Sequence, residues 1–334
     1  MTEAFASRGQ PYLLLKAAYT GIAASYIDGK TCHTIAQIAI SNRDSISNDA
    51  KKEIQAMWRD ARYLIIDEYS MLSGPFLTTL SKNLSIATLM NGYGSQDVSF
   101  GGLNVILCGN LHQFPPVAVK KGAPLFCPID VPSQDNDSLL GRRIYEEFTT
   151  VVILTRQERT KDPVWFSLLR RLRYGQVHQE DLRTLQALII NHDDTKDNID
   201  FTLDPWMSAP LITSRHNVRK KWNSIALRKW CKLSGHQLLV CNAKNTIAND
   251  PLSVAESTGL HDKLNNDKRH QRKDLPESLE FVIGMKVMVT MNIDTDLDIA
   301  NGARGEIVDI VLDPDEPPLS QDPVSHLKYL LCKT

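Results

Sequence analysis

The sequence predicts an α/β protein with doubly wound parallel sheets in two domains, and three observations carry that expectation. Residues Leu64 to Ile66 form an apolar run without polar alternation, as parallel strands covered on both faces do. Further strand patterns lie at 12–18, 105–107 and 151–154, with helical patterns between the first three. Strand and helix signals in alternation give parallel sheets linked by crossovers. Finally, the run at 63–66 stops abruptly in two adjacent carboxylates, Asp67 and Glu68, at what would be a C-terminal sheet edge, where open α/β sheets bind ligands.

Taken in order, the strand at 12–18 leads into small residues, and the strand at 63–66 delivers Asp67 and Glu68. The strand at 105–107 runs into a polar loop ending in Gln113, Phe114, Pro115 and Pro116. The two prolines fix φ and keep helix from forming just before them, so the loop is stiff and Gln113 is aimed. After the strand at 151–154, Asp162 caps a helix, Pro163 occupies its first turn, Leu168, Leu169 and Leu172 form its stripe, and Gly175 stops it. This helix is expected to begin the second domain, dividing the chain into 1–150 and 151–334. From Ser214 to Lys232 there are seven basic residues and no acid, with Val218, Trp222 and Ile225 at helical spacing. That pattern predicts an amphipathic helix with Trp222 in the core and a basic face outside. Polar residues at about 242–278 read as an irregular insertion that includes a basic cluster, Lys268 to Lys273. Residues 281–311 supply further strands.

The chemistry suggested is nucleotide hydrolysis. Mg²⁺ favours one or two carboxylates together with phosphate oxygens, which suits Asp67 as metal holder. Glu68 is placed to activate water. A neutral amide both donates and accepts, so Gln113 can touch a γ-phosphate oxygen and the attacking water together.

The segments Asp67-Glu68-Tyr69-Ser70-Met71 and Gly101-Gly102, Val105-Ile106-Leu107, Gly109-Asn110, His112-Gln113, Pro115-Pro116-Val117 resemble motifs II and III of Pif-type DNA helicases, the RecD-like branch of superfamily one. The strongest likeness is to the helicase domain of fungal Helitron transposons. Residues 12–34 resemble motif Ia and its continuation, 154–162 the segment with the nucleotide-sensing arginine, and 284–308 the motif V region. The resemblance implies two RecA-like domains, the second with a small β insertion, driven by ATP and Mg²⁺ along single-stranded and forked DNA in the 5′ to 3′ sense. It implies catalytic and nucleotide contacts from Asp67, Glu68, Gln113 and Arg159, and DNA contacts from Thr20, Gly21, His33, Asn301 and Gly302. A monomer acting in the nucleus, in repair, recombination, telomere upkeep or transposition, would follow. Three features depart from the family. No Gly-rich phosphate loop precedes Tyr12, no motif VI arginine follows Val311, and Asn110 stands where relatives commonly have Asp. The expectation is a helicase core clipped at both ends, the alternative being an inactive transposon-derived relic that at most binds single-stranded DNA.

Residues 24–31 satisfy a relaxed phosphate-loop pattern, but Tyr26 and Ile27 suit poorly a cradle that needs small, φ-permissive residues. Lys30 is therefore read as a surface or DNA-facing residue. Cys231, His236 and Cys241 lack the tight spacing of a zinc knuckle, and the six cysteines, without close pairs, read as reduced thiols. A net charge of −1 is not what a simple nucleic-acid coat protein shows, though a translocase needs only a charged channel. No leader and no apolar run long enough to cross a bilayer is seen, so a soluble protein without membrane partners is expected.

Overall fold

The structure, a computed structural model, describes residues 1–38, 47–117, 124–128, 135–190, 200, 203–204, 206, 209–242, 246–247, 250–251, 253, 278–290, 293, 299 and 302–327. By contacts the chain divides into one unit of Met1–Ile199 with Val289–Ala303 and a second of Asp200–Met288 with Arg304–Thr334. This division falls some fifty residues later than the expected boundary at 150/151.

The first unit starts with α1 (Thr2–Ala6), then β1 (Leu14–Ala18), α2 (Gly21–Tyr26), β2 (Lys30–Thr31), α3 (Cys32–Ile35) and α4 (Asn48–Met57). It continues with β3 (Tyr63–Asp67), α5 (Gly74–Met90), β4 (Asn104–Leu107), α6 (Asn136–Glu146), α7 (Pro163–Arg173) and α8 (Gln179–Ala187). The four strands form one parallel sheet in the order β2-β1-β3-β4, in which β1, β3 and β4 correspond to apolar runs read from the sequence. In register, Ala18 stands beside both Thr31 and Asp67, and Ile66 beside Leu107. The segments that leave β1, β3 and β4 therefore all emerge at one edge, and that alignment assembles the site described below.

The core confirms why these residues make strands. Ala17, Leu64 and Ile66 are fully buried, and α5 lays Leu77, Leu80, Leu84 and Ala87 against them at helical spacing. Trp58, at the end of α4, is fully buried too, and its Nε1 donates to the Ile35 carbonyl at 2.9 Å, so the one polar atom of the largest core side chain is satisfied. Helices α5 and α6 approach backbone to backbone: a Cβ on Gly141 would fall 2.0 Å from the Gly74 carbonyl oxygen.

Two strand expectations change. Residues 12 and 13 belong to a 3-10 turn, Pro11–Leu13, because Pro11 starts a helical turn, and the strand begins only at Leu14. The run at 151–154 is not a strand: its four residues are 77% to 90% exposed and have no ladder partner among the described residues. High β-propensity makes a strand only where a neighbouring strand takes up its hydrogen bonds. The short β2 was not predicted, since two residues carry no periodicity.

Helix α7 forms as its sequence signals predict. Asp162 accepts from the backbone N–H groups of Val164 and Trp165, and Gly175 ends the turn at φ +68°. Expected as the opening of a second domain, it is grouped with the first by contacts; Leu168 is buried, and Tyr174 meets the His112 ring at 6.0 Å. Helices α7 and α8 are clamped by a two-pronged ion pair. Arg171 donates from Nε and a terminal nitrogen to Asp181 at 2.8 and 2.5 Å, and the His178 N–H adds a bond at 3.0 Å. The Arg171 bonds, with that N–H, hold the Asp181 carboxyl well below the ordinary aspartate range. A depressed pKa stabilises the fold fully above the unfolded value, about 3.9, and that share fades as pH falls below it toward the folded value. Asp181→Asn should therefore lower the thermal midpoint at pH 6 by more than at pH 3; a deficit constant across that range would refute the linkage.

In the second unit, α9 (His216–Ser234) runs to Gly235, which at φ +72° ends it. The strands are β5 (Leu238–Asn242), β6 (Thr246–Ile247), β7 (Asp250–Pro251), β8 (Ser278–Phe281), β9 (Lys286–Met288), β10 (Arg304–Glu306) and β11 (Val324–Leu327). β11 pairs parallel and β8 antiparallel with β5, so this sheet is mixed, while β6 with β7 and β9 with β10 make antiparallel pairs. Leu227 of α9 packs on Leu238, Val240 and Val282, and Arg228 reaches Glu280 at 2.7 Å. Trp222 is not core: it is 51% exposed. The helix turns Leu227 and Cys231 to the sheet, and Trp222, five residues before Leu227, falls on the far side of a 3.6-residue period. Most of the expected insertion at 242–278, the 268–273 cluster included, lies outside the described residues.

Candidate functional site

The site grows from the edge where β3 and β4 end. Pairing continues one step past the ladder: the Cys108 N–H donates to the Ile66 carbonyl at 2.7 Å, and the Tyr69 N–H to the Cys108 carbonyl at 3.1 Å. Between those bonds Glu68 adopts the left-handed conformation, φ +54° and ψ +42°, which costs a non-glycine residue free energy and is kept where surrounding contacts impose it. Its N–H donates to the Asp67 Oδ1 at 2.9 Å, locking the neighbouring carboxylate. Burial pushes the Cys108 thiol up, and the Asp67 charge beside it adds to that shift.

The second loop is fitted to the first by Gly109. At φ +147°, a Cβ there would sit 2.9 Å from the Tyr69 ring and 3.0 Å from the Tyr69 backbone nitrogen. Only a residue without a side chain lets the two loops come this close. Asn110 then shapes the turn: its Oδ1 accepts from the His112 N–H at 3.0 Å, and its carbonyl from the Gln113 N–H at 2.9 Å. An aspartate would use the same acceptor oxygen, so the exchange to Asn keeps the turn's bonding.

Glu68, Ser70 and Met71 from the first loop and His112, Gln113, Phe114 and Pro115 from the second line one open cleft of about 750 Å³. Thr20, Ile22, Ala23 and Tyr26 form a further side along α2, and Arg159 lines the same space. Four of the residues expected from sequence, Glu68, Gln113, Arg159 and Thr20, are thus brought together. Asp67 stands one residue behind Glu68, half-buried and outside the cleft lining. Thr20 caps α2, its hydroxyl accepting from the Ala23 N–H at 3.4 Å, and Gly21 is buried in the helix's first turn.

Gly302, at φ +100°, approaches α2 so closely that a Cβ would meet Ile22 at 3.4 Å, which sets it beside a cleft residue. Asn301 lies outside the described residues. His33 goes elsewhere, into a ring cluster with Tyr19 at 5.5 Å and Phe76 at 4.9 Å, where burial lowers its pKa and favours the neutral ring. The pattern at 24–31 is no phosphate cradle, since Ala24 to Tyr26 are helical and Lys30 is in a strand, the reverse of a loop that enters a helix.

Sequence reasoning did not single out Ser70 or Phe114, and weighed Tyr26 only as a misfit. Ser70 is 4% exposed, and among the described residues nothing hydrogen-bonds its hydroxyl, a costly state for a buried polar group. Phe114 was legible in one respect, as an aromatic wedged between Gln113 and Pro115.

For a metal, no group of three or more His, Cys, Asp or Glu side chains gathers among the described residues. A lone carboxylate such as Asp67 fits Mg²⁺, which completes its shell with phosphate oxygens and water, better than it fits an all-protein cage.

The family model of PIF1-like helicases matches residues 2–140. The ATP-dependent DNA helicase PIF1 of Xenopus laevis is 26% identical over 294 residues, covering 87% of this chain and 39% of that protein. The ATP-dependent DNA helicase RRM3 of Saccharomyces cerevisiae is 30% identical over 177 residues, 51% of this chain and 22% of that protein. The chain spans about two fifths of the length of the Xenopus relative. Among solved structures, the Pif1 helicase from Bacteroides in complex with ADP-AlF3 and ssDNA superposes with a TM-score of 0.53 at 20% identity, covering 91% of this chain and 61% of that one. The Pif1 helicase from Candida albicans gives 0.53 at 23% identity, with 94% and 62% covered. These likenesses establish the α/β, RecA-like fold.

Proposed function

We propose that this relative of the PIF1-like helicases is the core of an ATP-dependent DNA helicase that moves along single-stranded DNA in the 5′ to 3′ sense and separates duplex at forks. The observation that carries the reading is the cleft itself, where a strained carboxylate, an aimed amide and an arginine line one space at the C-terminal edge of a parallel sheet. Water attacks the γ-phosphorus of ATP, the β–γ phosphoanhydride bond breaks and ADP leaves, while Asp67 would hold a Mg²⁺ ion that would neutralise phosphate charge. Glu68 accepts the proton of the attacking water. Gln113, held by the Asn110 turn and the two prolines, orients that water through its amide. Arg159 places positive charge where negative charge develops. Thr20, Gly21, Gly302 and Asn301 grip the DNA backbone without reading its sequence, which small side chains and backbone amides suit. The protein acts as a monomer in the nucleus.

The test is ATP hydrolysis by the purified protein with and without single-stranded DNA, followed by strand separation on duplexes tailed at the 5′ or the 3′ end. DNA-stimulated hydrolysis and a preference for the 5′ tail are expected. DNA binding without hydrolysis would leave the inactive relic as the answer.

A further inference from the structure

One hydroxyl at the cleft finds no partner among the described residues. Ser70 is 4% exposed, and its Oγ is, among those residues, the one buried side-chain polar atom without a hydrogen bond. A buried donor left unmade costs free energy that an alanine in the same place would not. Other buried hydroxyls of the first unit show the usual remedies. Ser85 donates back to the Ser81 carbonyl at 2.9 Å, Thr78 reaches the Asp137 carbonyl at 2.8 Å, and the Ser81 Oγ accepts from the Phe100 N–H at 2.8 Å.

The backbone around Ser70 is held. It is the middle residue of the 3-10 turn Tyr69–Met71, closed by bonds from the Met71 N–H to the Glu68 carbonyl at 3.1 Å and from the Leu72 N–H to the Tyr69 carbonyl at 3.0 Å. The Tyr69 N–H is tied to the Cys108 carbonyl, and the Tyr69 ring stacks on Tyr145 with centroids 6.1 Å apart. The freedom left to the hydroxyl is rotation about Cα–Cβ, which carries the oxygen between staggered wells. Ser70 lines the cleft together with Glu68, Gln113 and Arg159, so a ligand in that space is the partner that the described residues do not supply.

The chemistry of that partner follows from the neighbours. The Glu68 carboxylate repels an anionic oxygen brought beside it, and a hydroxyl offers one donor that offsets the repulsion. A lysine there would pair with Glu68 and weaken it as a base, whereas a hydroxyl carries no charge and leaves the carboxylate free. A bond from such a donor to an ionised oxygen is roughly twice as strong as a neutral one.

We propose that Ser70 donates to the terminal phosphate of the bound nucleotide and makes the cleft prefer a triphosphate to a diphosphate. This rests on the nucleotide-hydrolysis reading given above. The experiment measures, by titration calorimetry, binding of a non-hydrolysable ATP analogue and of ADP, each with Mg²⁺, and the thermal midpoint of the protein without nucleotide. Ser70→Ala should weaken binding of the analogue about 10- to 100-fold and leave ADP binding unchanged. Its midpoint should equal or exceed that of the wild type, because the change removes an unpartnered hydroxyl. Ser81→Ala is the control for a hydroxyl with a partner: it should lower the midpoint and keep the wild-type preference for the triphosphate. Equal weakening for both nucleotides, or none for either, overturns the role of Ser70. A midpoint lowered as far as that of Ser81→Ala also overturns it, since the hydroxyl would then serve the fold. If the wild-type protein binds neither nucleotide, it is the nucleotide reading of the cleft that fails, and this proposal with it.

Discussion

Replacing Glu68 with Gln should reduce DNA-stimulated ATP hydrolysis by about 10²- to 10⁴-fold, the usual worth of a positioned general base, and leave single-stranded DNA binding intact. The substitution is nearly isosteric. It removes the proton acceptor while the left-handed backbone, the Asp67 bond to its N–H and the shape of the cleft all remain. Separating the two readouts matters, because a variant that merely misfolds loses both. Turnover kept at the wild-type rate would remove Glu68 from its role and, with it, the mechanistic reading of the cleft.

The second large effect is expected at Gly109, which touches no substrate. Gly109→Ala asks an L residue to adopt φ +147° and drives a Cβ to 3.0 Å from the Tyr69 backbone nitrogen. Backbone cannot rotate aside as a flexible side-chain end can, so the Gln113 loop must move away from the Glu68 turn. A displacement of roughly 1 Å in such a pair costs about 100-fold in turnover. Gly92→Ala is the control: Gly92 also has positive φ, +77°, but nothing lies within 4 Å of the added carbon. It should cost about 1–2 kcal/mol of stability from the left-handed backbone alone and leave turnover unchanged. Equal turnover in Gly109→Ala and wild type would show that the close fit of the loops does not position the reacting groups.

Much of this architecture is local information. The strands of the first sheet announce themselves because a residue run buried on both faces must be apolar throughout, and its abrupt end in Asp67 and Glu68 marks the sheet edge. The helix after Asp162 is equally legible, since cap, proline and glycine act within a few residues of one another. Where the reading failed, the deciding partner was distant in sequence. The run at 151–154 has every local property of a strand except a neighbour, and Trp222 belongs to an apolar stripe whose sheet-facing side proved to be the other one.

The cleft shows the same division. Glu68, Gln113, Arg159 and Thr20 could be named from sequence, yet their meeting depends on three parallel strands in register and on a glycine that admits one loop against another. His33, named with them from the resemblance, has its ring against Tyr19 and Phe76. By itself the sequence determined that Asp67, Glu68 and Gln113 have the chemistry and that 64–66 and 105–107 are strands, since these follow from side-chain type and short-range patterning, while Arg159 and Thr20 came from the resemblance to a family. Only the tertiary structure decided which of those residues share a space, because proximity and burial are properties of neighbours brought from elsewhere in the chain.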